Sequence, residues 1–184
     1  MLLTRRRTLA IASAGLLLLG AAPAIAQDDT TPPHVRSESV ALRALIDDAA
    51  QRSPEIRRLI DQLQELDVTV YVRTRLFTQI DLEGRVALLS ARNGRRYLVI
   101  ELACGRPGFT QMATLGHELY HALEIAREPS IVDARSLAAF YRRIGLQTGD
   151  AVGRQTFETE AAARAGTRTR QQLLSNTTRS GNGS

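Results

Sequence analysis

Gly116-His117-Glu118-Leu119-Tyr120-His121-Ala122-Leu123-Glu124 carries a His-Glu-x-x-His pattern inside a run of helical periodicity. Residues four apart on a helix lie about 40° apart around the axis and one turn apart along it. His117 and His121 can therefore aim their imidazoles at one point, as two ligands of a metal ion do. Glu118 borders the same face, where a carboxylate can take a proton from a water activated by the metal. The chain has three histidines, and two of them fall at this spacing around a glutamate. Two histidines satisfied by hydrogen bonds in a helix interior would leave Glu118 needing a cation or donors beside them. A metal accounts for all three residues.

The helix around this pattern is expected from about Phe109 to Arg127, after the breaker Gly105-Arg106-Pro107-Gly108. Met112, Leu115, Leu119, Ala122, Leu123 and Ala126 make an apolar stripe on it, with the histidines largely on the other side. Upstream, Val68, Val70 and Val72 alternate with Thr69, Tyr71 and Arg73, which predicts a strand with one buried face. Two further β-rich runs, 85–91 and 96–103, flank Arg92-Asn93-Gly94-Arg95, and Asn-Gly at such a place predicts a hairpin. Before the strands, a helix is expected over 39–51, with Val40, Leu42, Leu45, Ile46 and Ala49 apolar. A second starts at Ser53-Pro54, with Ser53 as N-cap and Pro54 in the first helical position. The class is α+β, helices around a small sheet with a hairpin.

Two histidines leave a catalytic zinc site one protein ligand short. Glu124 shares the face of His121, but groups at i, i+4 and i+7 of a straight helix spread over about 10 Å of its axis. It therefore either orients a histidine or faces water. The metzincin solution needs a glycine and a third histidine, and Glu124 and Arg127 stand in those places. A glutamate from a later helix remains. One helix is expected over 133–144, ended by Gly145, and another over 153–174 containing Phe157-Glu158-Thr159-Glu160-Ala161-Ala162-Ala163. On that last helix Glu158 shares a face with Ala161, Ala162 and Ala165, whereas Glu160 falls with Arg164, Thr167 and Gln171. Face geometry favours Glu158 over Glu160.

His117-Glu118-x-x-His121 followed by a downstream glutamate resembles the gluzincin zinc peptidases, in the small form called minigluzincin. Glu158-Thr159-Glu160-Ala161-Ala162 is similar to the Glu-x-x-Ala-Asp element of M48-type members. The resemblance spans the metal helix and the final helix. It implies a zincin-like fold, one Zn2+ ion held by His117, His121 and Glu158, and Glu118 as general base in hydrolysis of a peptide bond. It also implies a small sheet ahead of the metal helix, one strand of which offers its edge to an extended peptide. Ala162 departs from the family pattern, which has aspartate there to steady a metal ligand. Tyr141 or an arginine is expected to steady the oxyanion.

The ends of the chain bear on compartment. Arg5, Arg6 and Arg7, the apolar run from Leu9 to Leu19 and Ala24-Ile25-Ala26 read as a signal peptide over 1–26, cleaved after Ala26. The apolar run is shorter than the ~20 residues of a spanning helix, so no membrane insertion is expected after cleavage. The expected location is periplasmic or secreted. All 24 basic residues are arginine, and removal of three leaves 21 against 19 acidic, about +2. No basic cluster is interleaved with aromatics, which speaks against a nucleic-acid partner. Residues 27–37, with His34, read as a flexible solvated leader, 38–174 as a single metal-binding domain, and 175–184 as a disordered tail. Lone Cys104 has no internal partner and reads as a buried thiol at a strand end. The function expected from all of this is an exported zinc metallopeptidase acting on peptide or protein substrates. The alternative is an exported zinc-binding domain of the same fold without catalysis.

Overall fold

Alternation and turn chemistry set the sheet. In the computed structural model, which describes residues 32–79, 81–151 and 154–181, four strands form one mixed sheet. These are β1 (Val35–Ser37), β2 (Val68–Arg75), β3 (Gly84–Arg92) and β4 (Arg95–Ala103), in the order β1-β2-β4-β3. β1, β2 and β4 are parallel, and β3 pairs antiparallel with β4. The β3–β4 turn has positive φ at both Asn93 (52°) and Gly94 (79°), the backbone that an Asn-Gly hairpin turn requires. A register shift between Leu88 and Ser90 interrupts the pairing of β3. Val68, Val70 and Val72 of β2 and Leu98, Ile100 and Leu102 of β4 are fully buried under the helices.

The helices are α1 (Val40–Arg52), α2 (Pro54–Gln64), α3 (Gly108–Arg127), α4 (Ala134–Ile144) and α5 (Glu160–Gly181). Ser39 and Ser53 cap α1 and α2 through their side chains, and Asp133 closes a capping box on α4 with Ser136. Helix α3 lies against β4 and β3 and is also packed by α1, α2 and α5. Its stripe Leu115, Leu119, Ala122 and Leu123 is at most 1 % exposed. Burying each of the leucines contributes roughly 1.5–3 kcal/mol. The far end of α3 is held by Arg96 of β4, whose guanidinium donates to the carbonyls of Ala126, Glu128 and Ile131. On the other face of the sheet, Arg73, Arg75 and Arg85 converge on buried Glu101. Burial alone would raise that carboxyl, but the three arginines outweigh it and bring it down to about 2. The cluster ties edge strand β3 to β4 and β2.

Several expectations are corrected. Residues 32–37 belong to the fold. Strand β1 pairs with β2, and His34 is 6 % exposed, its Nδ1 within 3.0 Å of the Leu63 carbonyl and its backbone N–H bonded to Gln64. Val40 opens α1 in solvent, 88 % exposed, because the core face begins with Leu42. Cys104 is exposed, just past the end of β4. Helix α5 runs to Gly181, so most of the presumed tail is helical. A hairpin of β5 (Leu146–Ala151) and β6 (Arg154–Glu158) stands where the start of the last helix was expected. The proposed signal peptide, residues 1–26, and residues 27–31 of the leader lie outside the described residues. No described helix is long and apolar enough to cross a membrane.

Gly116 governs how closely α5 approaches α3. A Cβ there would lie 2.2 Å from Thr169 Oγ1 and 2.9 Å from Thr169 Cβ, too close for any side chain. Gly116→Ala is expected to lower the unfolding free energy by about 1–3 kcal/mol, the usual cost of overpacking. Thr169→Ala, which also removes a buried hydroxyl without a hydrogen-bond partner, should recover part of that loss in the double mutant. Chemical denaturation of the two single mutants and the double mutant would measure the coupling.

Candidate metal centre

Helix α3 presents His117 and His121 one turn apart, their ring centroids 4.8 Å from each other. Glu158, the last residue of β6, reaches both. Its Oε2 lies 3.3 Å from His117 Nε2 and its Oε1 3.7 Å from His121 Nε2. The ligand atoms of the three residues all lie within 4.8 Å of one another. Around a tetrahedral zinc with bonds near 2.0–2.1 Å, adjacent donors are about 3.3 Å apart. The donor set is one that such an ion takes, and the two glutamate–histidine distances, 3.3 and 3.7 Å, are close to its spacing.

The outward ring nitrogens are held as well. His121 Nδ1 is 2.9 Å from Glu124 Oε2, and the Thr159 hydroxyl donates to Glu124 Oε1 at 2.7 Å. Tyr141 completes this group, its hydroxyl 3.3 Å from His121 Nδ1 and 3.4 Å from Glu124 Oε2. On the other histidine, a backbone hydrogen bond ties the ring to Ala162. Both imidazoles thus direct Nε2 at Glu158, and each ring has a second partner, Glu124 at Nδ1 of His121 and the Ala162 backbone for His117, the kind of support that orients rings in metal sites. Gly166 leaves room for this, since a Cβ there would stand 3.2 Å from His117 Cβ.

Thr159 does two things. Its side chain accepts from Ala162 N and its carbonyl from Ala163 N, which makes it the N-cap of α5. Its own N–H donates to Glu158 Oε1. The helix therefore begins immediately after Glu158, and the helical-face argument for that residue does not hold. Glu158 reaches the histidines as the end of a strand. Glu160 is in the first turn of α5 and pairs outward with Arg164. Thr159 was missed by the sequence reading, although a threonine before an acidic, alanine-rich run is a helix-start signal. The carboxylate absent at Ala162 has a counterpart in Glu124, contributed by α3 itself.

Glu118 is 5 % exposed, beneath the start of β3. A Cβ on Gly84 would stand 2.5 Å from Thr114 Cγ2 and 3.1 Å from Glu118 Oε1, so only glycine allows the strand this close. A cleft of about 1140 Å³ opens here, walled by β3 with its preceding loop on one side and by α4 and α5 on the others. His117, Glu118, His121, Tyr141 and Glu158 all line it. Burial pushes the Glu118 carboxyl up to about 7, reinforced by Glu158 and opposed by His121. Burial, together with the neighbouring His121, brings His117 down to about 4, so its imidazole is neutral at pH 7. For His121, burial pulls downward, but the Glu124 bond and the surrounding carboxylates raise it. Glu158 is raised, chiefly by burial.

No family model, curated protein or solved structure gives a significant match to this chain.

The raised Glu118 has a consequence for the metal-free protein. The folded state prefers this carboxyl protonated, so its contribution to stability is whole below pH 4.5 and is lost as pH rises through about 7. Glu118→Gln removes the titration. The variant's unfolding free energy, measured against wild type in chelator, should gain by up to about 3 kcal/mol between pH 4.5 and pH 8, one pKa unit being worth 1.36 kcal/mol.

Proposed function

We propose that this chain is a zinc-dependent peptidase of the gluzincin kind, exported by its N-terminal segment, with one Zn2+ held by His117, His121 and Glu158. The observation that carries the reading is the convergence of two Nε2 atoms and a carboxylate beside a buried fourth group, Glu118, in one open cleft. Zinc, when bound, supplies a Lewis acid that activates water and polarises a carbonyl. Glu118 accepts the proton of the attacking water and delivers it to the departing amine nitrogen. The water oxygen bonds to the carbonyl carbon, the C–N bond breaks, and a carboxylate and an amine leave. Burial raises this carboxyl in the metal-free protein, and the charge of a bound zinc would lower it again toward the ionised form that accepts a proton.

Substrate access follows from the sheet. β3 is an edge strand, and residues 82–87 line the cleft, so its free edge faces the space beside the histidines. An extended peptide would add to β3 as a further strand, its backbone paired and its scissile bond carried past Glu118. Tyr141 supports this reading as a positioning group, since its hydroxyl lies among His121 and Glu124.

Two measurements test the proposal. Wild type purified without chelator should hold one zinc per chain by elemental analysis. Glu158→Ala should lose it and Glu160→Ala keep it. Glu118→Gln should keep zinc and lose cleavage of a mixed peptide library; undiminished cleavage by that variant would sink the peptidase reading. Separately, Glu124→Gln should weaken zinc binding by about 10–100-fold, the range seen when a group supporting a ligating histidine is changed. Competition with a chromophoric chelator reads this directly.

A further inference from the structure

The cleft has a polarity that identifies one end of its substrate. Helix α5 runs antiparallel to α3, because Thr159 meets Glu124, Gly166 meets His117 and Thr169 meets Gly116. Arg170 lies four residues beyond Gly166, so it stands toward the N-terminal end of α3, where Ala113 also lines the cleft. The α5 wall consists of Ala163, Gly166 and Thr167, all uncharged, and then Arg170. Arg170 is exposed and has no ion pair among the described residues. The acidic residues at this end, Asp81 and Glu83, belong to the opposite wall, and Glu83 takes the Thr114 hydroxyl at 3.3 Å.

Strand direction supplies the rest. β4 begins at the C-terminal end of α3, where Arg96 bonds the Ala126 carbonyl, and ends where Gln111 bonds the Ala103 carbonyl. It therefore runs against α3, and β3, antiparallel to β4, runs with it. A peptide added antiparallel to β3 travels against α3 and leads with its C-terminal part toward Arg170. Four residues of helix span about 6 Å, and an extended peptide advances about 3.3 Å per residue. The backbone of Arg170 is thus roughly two substrate residues past the scissile bond, with its side chain lining the cleft there.

Resting on the peptidase reading, we infer that Arg170 is a specificity residue that binds a substrate carboxylate about two residues C-terminal to the cleaved bond. The carboxylate is either the free C-terminus of a departing dipeptide or an acidic side chain in a longer chain. Arginine is suited to it by the paired, planar donors of its guanidinium.

Two peptide pairs distinguish the sources. One has two residues after the cleaved bond, ending in a carboxylate or an amide. The other is longer and amide-ended, with Glu or Gln as the second residue after the bond. Zinc-loaded wild type should favour the carboxylate member of at least one pair by roughly tenfold or more in kcat/KM, since a hydrogen bond to a charged group is worth about 1.5–3 kcal/mol. The preference should lie mainly in KM, because the contact is remote from the reacting atoms. Arg170→Gln should abolish it and Arg170→Lys keep part of it, with unchanged melting temperatures. Equal rates within both pairs, or a preference for acid on the N-terminal side of the bond, would overturn the inference and leave the peptidase reading standing. If neither pair is cleaved, the same sequences carrying a hydroxamate in place of the scissile amide are titrated into the zinc-loaded protein. Tighter binding of a carboxylate form, lost in Arg170→Gln, supports the inference. Equal affinity within both pairs overturns it, and failure to bind zinc or any hydroxamate overturns both readings.

Discussion

The centre depends on one carboxylate used at both ends. Glu124 holds His121 Nδ1 with one oxygen and receives the Thr159 hydroxyl on the other. This contact joins the last turn of α3 to the first residue before α5, and Glu158 is the residue next to it. A carboxylate this largely covered would be costly without donors, and its surroundings supply three, from His121, Thr159 and Tyr141. Removing any of them leaves Glu124 short of a donor. The ligand geometry is in this sense a by-product of satisfying Glu124.

The same logic explains two glycines. Gly116 lets α5 press against α3 one residue before the first histidine, and Gly84 lets β3 descend onto Glu118. Each brings backbone within contact distance of a group that must stay dry. Glu118 becomes a carboxyl that is raised by burial, while His117, largely buried and next to another imidazole, becomes a neutral imidazole. Close packing thus sets the protonation states, and the charged groups around the cleft adjust them.

The resemblance to gluzincins rests on short motifs, and one element of it reads differently in three dimensions. The aspartate that the pattern would place at Ala162 is absent, and the backbone of Ala162 supports His117 instead. Its counterpart beside the other histidine is Glu124, three residues after His121 on the same helix. A supporting carboxylate can come from either helix, because what matters is a donor–acceptor partner behind the ring and not its place in the chain.

The His117–Glu118–His121 face, the Asn93-Gly94 turn, the Ser53 cap of α2 and the alternation of β2 were all legible from the residues, because periodicity and capping act over a few positions. The bounds of α3 were legible too, to within a residue. Glu158 was named for the wrong reason: a helix was read through a stretch that forms a hairpin, and the true start at Thr159 was passed over. His34 was read as a tail residue because three-residue β1 has too little pattern to announce itself, and only pairing with β2 buries it. Local chemistry alone thus decided which helix could carry a metal. Which carboxylate completes the site, what holds it there, and which strand lends its edge were decided by tertiary structure, because those contacts join residues about 30 or more positions apart along the chain.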